Sequence, residues 1–309
     1  MQRHTVTLDH PTDWQGFRTA ARALVQADVP PQAVDWHCQS DAAHDLFAPE
    51  PHCQALPSPA PHAPPLRAPP DFVRLCEQLI LHRDPARFAL MYRLLWRMQH
   101  TPGVRHDPLD ADRVHLQYLC KAVRREVHQM HAFVRFRPVA LADALHDGSG
   151  PLHVAWFEPQ HHIVHAVAPF FVGRFSNMRW AILTPLACLR WWPQAPSVAA
   201  LADHGIAPQH ALQPLAGRPG VLSWGPGASA DAAPPADAGE ALWLTYYAHI
   251  FNPARLKVAT MCREMPRHYW AHLPEAQLIT PLVQAAQARS AAMLASAPSM
   301  PQRKLPRRA

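Results

Sequence analysis

No two cysteines of this chain lie close together in the sequence. Cys38, Cys53, Cys76, Cys120, Cys188 and Cys262 are never within four residues of one another, so neither a zinc knuckle nor a redox pair is written in the sequence. No stretch approaches the roughly 20 apolar residues that a membrane helix needs. The start, Met1 to Asp9, has no apolar run, so no signal peptide is expected. A soluble, cytoplasmic protein with reduced thiols is the expectation. The phosphate-cradling glycine loop and the dinucleotide fingerprint are missing. So are the Gly-x-Ser-x-Gly elbow, the His-Glu-x-x-His zinc helix and the Cys-x-x-x-Cys-x-x-Cys cluster triplet of radical-SAM enzymes. No cofactor follows from the sequence.

What is present is a large apolar fraction and an uneven charge. Hydrophobic residues make up 49% of 309 residues, enough for a sizeable core. The formal charge is +6, but Arg303, Lys304, Arg307 and Arg308 supply four of it near the end of the chain. The rest is a near-neutral body carrying one local stripe. The 22 histidines would add charge steeply below about pH 6.5 unless their neighbours shift them.

The stripe is Lys121 to Arg137. Lys121, Arg124, Arg125, Arg135 and Arg137 are cationic, His128 and His131 stand among them, and Glu126 is the lone acid. At about 100° per residue, Leu116, Leu119, Val123, Val127 and Met130 share one arc of a helix. Lys121, Arg124, His128 and His131 fall on its flank. A cationic flank beside a buried face suits a phosphate backbone, although a solvated basic face has the same appearance.

The periodicity divides the chain into four parts. Residues 1–48 read as a short strand and a helix, with Trp14, Phe17, Ala20, Ala21 and Leu24 at helical spacing. Residues 49–70 are a proline-rich, extended linker. Residues 71–295 form the main domain, and residues 296–309 a disordered basic tail. Within the domain, Phe72 to Ile80 marks a helix. Asp84-Pro85 caps the next one, which runs through Phe88, Met91, Tyr92, Leu95 and Trp96. The stripe helix then breaks into a strand near His131, with Phe133, Arg135 and Arg137 on one strand face. Strands at Leu152–Phe157, Trp180–Thr184 and near Val221–Trp224, a helix from His161 to Arg174, and helices at 238–251 and 274–294 complete the pattern. This is an α+β fold, mainly helical, with a small and mostly antiparallel sheet.

Three groups of side chains could carry chemistry. His128 and His131, three apart on one helix, suit a metal pair. Glu158, His161, His162 and His165 could bind zinc or iron, or run acid–base chemistry with Glu158 and His162 as the catalytic pair. Hydrogen-bonded histidines that orient a helix against the sheet explain the same residues, and no metal site is assigned. Glu158-Pro159 also reads simply as a strand end, with the carboxylate near the following helix N-terminus. Phe170, Phe171 and Phe175 read as core, and Arg174 and Arg179 beside them as phosphate or carboxylate ligands. Tyr247, Asn252, Arg255 and Lys257 offer an aromatic face, an amide and two cations for a splayed base and its phosphates. Asn252 reads equally well as a helix cap.

Several blocks carry a resemblance. They are His82–Arg97, Val127–Phe136, Trp156–Ile163, Ala168–Phe175 with Met178–Pro185, and Trp243–Lys257 leading to Met265–Trp270. Across about residues 5–290 the chain resembles a domain-of-unknown-function family of bacterial DNA-metabolism proteins. Members occur fused ahead of a UdgX-type uracil-DNA-binding domain, or alone and encoded beside a radical-SAM protein of DNA repair. The resemblance implies a DNA-repair setting and brings no catalytic residues with it. The glycine-proline and His-Pro-Ser loops of uracil-DNA glycosylases do not occur here, and Gly225-Pro226-Gly227 is only a turn, so uracil excision by this chain alone is not expected.

The expected function is DNA binding by an accessory protein whose partner enzyme, of radical-SAM or UdgX type, does the chemistry. The expected contacts are Lys121, Arg124, Arg125, His128, His131, Arg135, Arg137, Arg174, Arg179, Tyr247, Asn252, Arg255 and Lys257. The alternatives are an enzyme on damaged nucleotides or DNA that uses the His/Glu group with or without a metal, and a scaffold that meets an acidic protein.

Overall fold

The computed structural model describes residues 3–39, 56–57, 66, 68–139, 151–194, 213–214, 220–234, 244 and 258–295. The expected linker lies mostly outside these residues, as do the 238–251 helix (save residue 244) and the basic tail.

The chain begins with a parallel pair, β1 (His4–Leu8) and β2 (Val34–Cys38), joined by α1 (Trp14–Gln26). Asp13 caps α1 by accepting from the Gly16 amide at 2.8 Å, and the helix buries Phe17, Ala20, Ala21 and Leu24 as their spacing predicts. It ends where Asp28 turns into the left-handed region at φ 58°, and the Val29 amide then bonds back to the Leu24 carbonyl. β2 has no clear signal in the sequence. Only Val34 and Cys38 at its ends are buried, so it lacks a regular alternation.

Three helices pack on this unit: α2 (Pro70–Leu79), α3 (Arg87–His100) and α4 (Ala111–Phe133). Trp36 of β2 lies against Phe17, Phe88 and Tyr92, and the Tyr92 hydroxyl donates to the Val29 carbonyl at 2.6 Å. β1, α1, β2 and the three helices therefore share one apolar core. The Asp84 carboxylate does accept an amide, that of Ala86 at 2.9 Å, but a turn at Pro85–Ala86 delays the helix to Arg87.

The second layer is a six-stranded sheet in the order β3-β4-β5-β6-β8-β7. The strands are β3 (Arg137–Val139), β4 (Leu152–Trp156), β5 (Trp180–Leu183), β6 (Ala187–Trp192), β7 (Gln213–Pro214) and β8 (Val221–Pro226). Within this sheet, among the described residues, only β4 and β5 pair in parallel. Helix α5 (Val164–Arg174) connects them, since a parallel pair needs a crossover. The remaining pairs are antiparallel. β6 was not legible in the sequence because it is buried along much of its length and shows no alternation. The helices α6 (Val258–Glu264) and α7 (Ala276–Ala295) complete an α+β architecture. Among the described residues, no helix is long and apolar enough to cross a membrane.

Helix α4 joins the layers. Leu116, Leu119 and Cys120 belong to the first core, whereas Val123 and Met130 belong to the core around α5 and the sheet. Its 23 residues span about 34 Å at 1.5 Å per residue. Its N-terminus is held by charge: Asp110 caps the Asp112 and Arg113 amides, while Arg93 and Arg97 of α3 pair with Asp112 and Asp110 at 2.6–2.7 Å. The hydrogen bond from Arg93 is the chief reason that Asp112 titrates below its ordinary range.

The predicted break near His131 is corrected. The helix runs on to Phe133, because Met130 is fully buried and its carbonyl still accepts the Val134 amide. Phe133 therefore belongs to the helix and only Arg137 to a strand, so Phe133, Arg135 and Arg137 do not share a strand face.

Candidate functional site

Along α4 the polar residues sort by face. Lys121, Arg124, Arg125 and His128 are exposed, and so are Tyr118 and Val114 one and two turns earlier. Glu126 is turned the other way and is only 4% exposed. The sole acid of the stripe is thus removed from its surface, and the outward face of this stretch carries only cations and histidine.

Glu126 serves the interior as an anchor. Its carboxylate accepts the Gln160 amide at 2.6 Å, the His161 amide at 2.7 Å and the Tyr269 hydroxyl at 3.0 Å. Burial raises its pKa, and the three hydrogen bonds and the nearby charge of Arg83 pull the other way. Burial, together with the charge of Glu126, pushes the Tyr269 phenol well above its usual range. One buried carboxylate therefore fixes α4, the loop after β4 and the Arg267–His272 turn. The sequence held a signal for this: Glu126 sits three residues after Val123 and four before Met130, which is core spacing. Val127, expected in the core, is only partly buried.

The loop held by Glu126 contains the histidine group. His161 is buried, its Nδ1 accepts the Arg83 amide at 3.2 Å, and its ring lies on His82 at 4.4 Å. Burial, with the charges of His82, Arg83 and His162, lowers its pKa to about 4. His162 is half-buried, and its amide donates to the Leu81 carbonyl at 2.8 Å. His165 lies on α5 with its ring stacked on Trp224 at 3.7 Å. Glu158 is exposed and accepts the Trp156 indole N–H at 3.0 Å. It does not stand at a helix N-terminus, because α5 starts only at Val164, and the turn that Glu126 holds lies between them. Among the described residues, no three His, Cys, Asp or Glu side chains gather as they would around a metal ion.

The other predicted contacts are dispersed. His131 is half-buried and stacked on Phe170 at 3.8 Å, and burial lowers its pKa, so it does not continue the exposed face of His128. Arg135 pairs with the buried Glu275 at 3.0 Å. Arg137 donates to the Pro234 carbonyl. Arg179 is 2% exposed, with its guanidinium over Trp192; this burial withdraws it from any phosphate outside. Arg174 is exposed beside Phe175. Tyr247, Asn252, Arg255 and Lys257 lie outside the described residues. The expected stripe thus resolves into one exposed helix face and a set of arginines engaged within the fold.

No curated protein and no solved structure matches the chain. A family model described as a domain of unknown function, DUF4130, matches residues 85–275. That span holds α3, α4, the sheet, the Glu126 anchor and the histidine loop. It is more than half of the 309 residues, and the chain belongs to the DUF4130 family.

Proposed function

We propose that this protein binds DNA through the exposed face of α4, as an accessory to a partner enzyme that carries out the chemistry. One observation carries the reading: Lys121, Arg124, Arg125 and His128 are exposed on one helix while Glu126 points into the core. A face without acid, on a helix anchored in two cores, presents cations at fixed spacing to a phosphate backbone. The sequence resemblance to DNA-metabolism proteins supports a repair setting and a partner of radical-SAM or UdgX type. Arg135, Arg137 and Arg179, which are engaged within the fold, drop out of the contact set.

Fluorescence anisotropy with labelled duplex and single-stranded oligonucleotides at low salt tests the proposal. The wild-type chain binds, and the triple variant Lys121→Ala, Arg124→Ala, Arg125→Ala binds at least about tenfold more weakly, as loss of several phosphate contacts requires. No wild-type binding at low salt, or an unaffected triple variant, refutes it.

A further inference from the structure

A cleft of about 1230 Å³ opens between the N-terminal unit and the loops that Glu126 holds. Its lining includes His10, Arg83, Arg87, Gln160, His162 and His165, and no aspartate or glutamate lines it among the described residues. The walls are braced. Arg87, itself buried, donates to the carbonyls of Ile80, Asp84 and Pro11, and so ties one wall to the other. Gln160 is held by Glu126, and the His162 amide by Leu81.

The polar groups favour an anion. Arg83 is exposed. The Nδ1 of His10 accepts the Thr12 amide at 3.3 Å, which places the neutral ring's proton on Nε2 as a donor. Val164 and His165 bring the N-terminus of α5 to the wall, where the helix dipole favours negative charge. The cleft is also far larger than a phosphate ion needs, and at about 1230 Å³ it exceeds the roughly 300–1,000 Å³ of small-molecule sites, which leaves room for a whole nucleotide. His165, resting on Trp224, adds a flat ring of the kind on which a base stacks.

We propose that this cleft binds a nucleotide through its terminal phosphate, either a free mononucleotide or the phosphorylated end of a DNA strand. Arg83 and His162 hold the phosphate and His165 supports the base. The site is separate from the α4 face and does not rest on it.

Isothermal titration of the full chain with deoxyadenosine 5′-monophosphate, deoxyadenosine, orthophosphate, and a short oligonucleotide with and without a 5′-phosphate tests the proposal. The expected result is saturable one-to-one binding of the monophosphate or of the phosphorylated oligonucleotide, at least about tenfold tighter than the same probe without its phosphate. Arg83→Ala and His162→Ala each weaken it at least about fivefold with an unchanged thermal midpoint, while the triple α4 variant leaves mononucleotide binding intact. A tighter mononucleotide assigns the site to free nucleotide, and a tighter phosphorylated oligonucleotide assigns it to a strand end. The proposal is overturned if neither phosphorylated probe binds saturably, if orthophosphate binds as tightly as the nucleotide, or if Arg83→Ala and His162→Ala change nothing.

Discussion

The Tyr269 hydroxyl donates to the Glu126 carboxylate at 3.0 Å, across 143 residues of sequence. The same carboxylate holds the amides of Gln160 and His161. Glu126→Ala strands the buried His161 amide, the part-buried Gln160 amide and a buried phenol, and the expected cost is roughly 3 kcal/mol. Glu126→Gln keeps one acceptor oxygen and costs less. Tyr269→Phe leaves the carboxylate its two amide donors and costs about 1 kcal/mol. Urea unfolding of the single and double variants checks this. Additive effects of Glu126→Gln and Tyr269→Phe would show that the two groups are not coupled.

His161 makes stability depend on pH. Its folded pKa of about 4 lies below the ordinary 6.5, so between these values the unfolded chain binds a proton that the native chain does not. The stabilisation is complete above about pH 6.5 and is lost as pH falls toward 4, by at most roughly 3 kcal/mol for this one group. His82 and His131, buried and half-buried, are shifted down as well, chiefly by burial, and act in the same direction. Glu126, whose pKa is raised, has the opposite sign: its contribution is present below the ordinary carboxylate pKa and fades as pH rises through its folded value. Urea unfolding at about pH 7.5 and pH 5 should therefore show a smaller stability loss in His161→Gln than in the wild type, by about 1 kcal/mol or more. An equal loss in both would remove His161 as a source of the dependence.

Arg135 is expected to matter for stability and not for DNA. It joins the segment after α4 to the buried Glu275 just before α7 at 3.0 Å. Arg135→Ala leaves a buried carboxylate without this partner, and a loss of about 2 kcal/mol is expected, discounted because the arginine itself is about one-third exposed. Affinity for DNA should stay within about threefold of wild type, since no phosphate contact is removed. Thermal unfolding and anisotropy on the same preparation separate the two effects.

The sequence made the helices legible and the site only in part. α1, α2, α4 and α5 bury residues at helical spacing, and β4 and β5 carry compact apolar runs. β2 and β6 gave no pattern, the first because only its ends are buried and the second because it is buried along much of its length. The exposed cations of α4 were readable from the apolar arc opposite them. Glu126 was visible as the lone acid, yet its role depends on Gln160, His161 and Tyr269, distant partners that only the fold brings together. Arg135 and Arg179 looked like ligands because charge in a sequence does not reveal that a carboxylate or a tryptophan ring awaits it. The cleft draws His10, Arg83 and His162 from three separate segments, and no local motif announces it.

The slope of DNA affinity against salt probes the α4 face most directly. Each phosphate contact on duplex DNA contributes about 0.9 to the slope of log affinity against log salt. Replacing Lys121, Arg124 and Arg125 with alanine should flatten the slope by about 2.7 relative to wild type if each holds one phosphate. A slope that is the same in both proteins, whatever their affinity, would contradict DNA binding through this helix face.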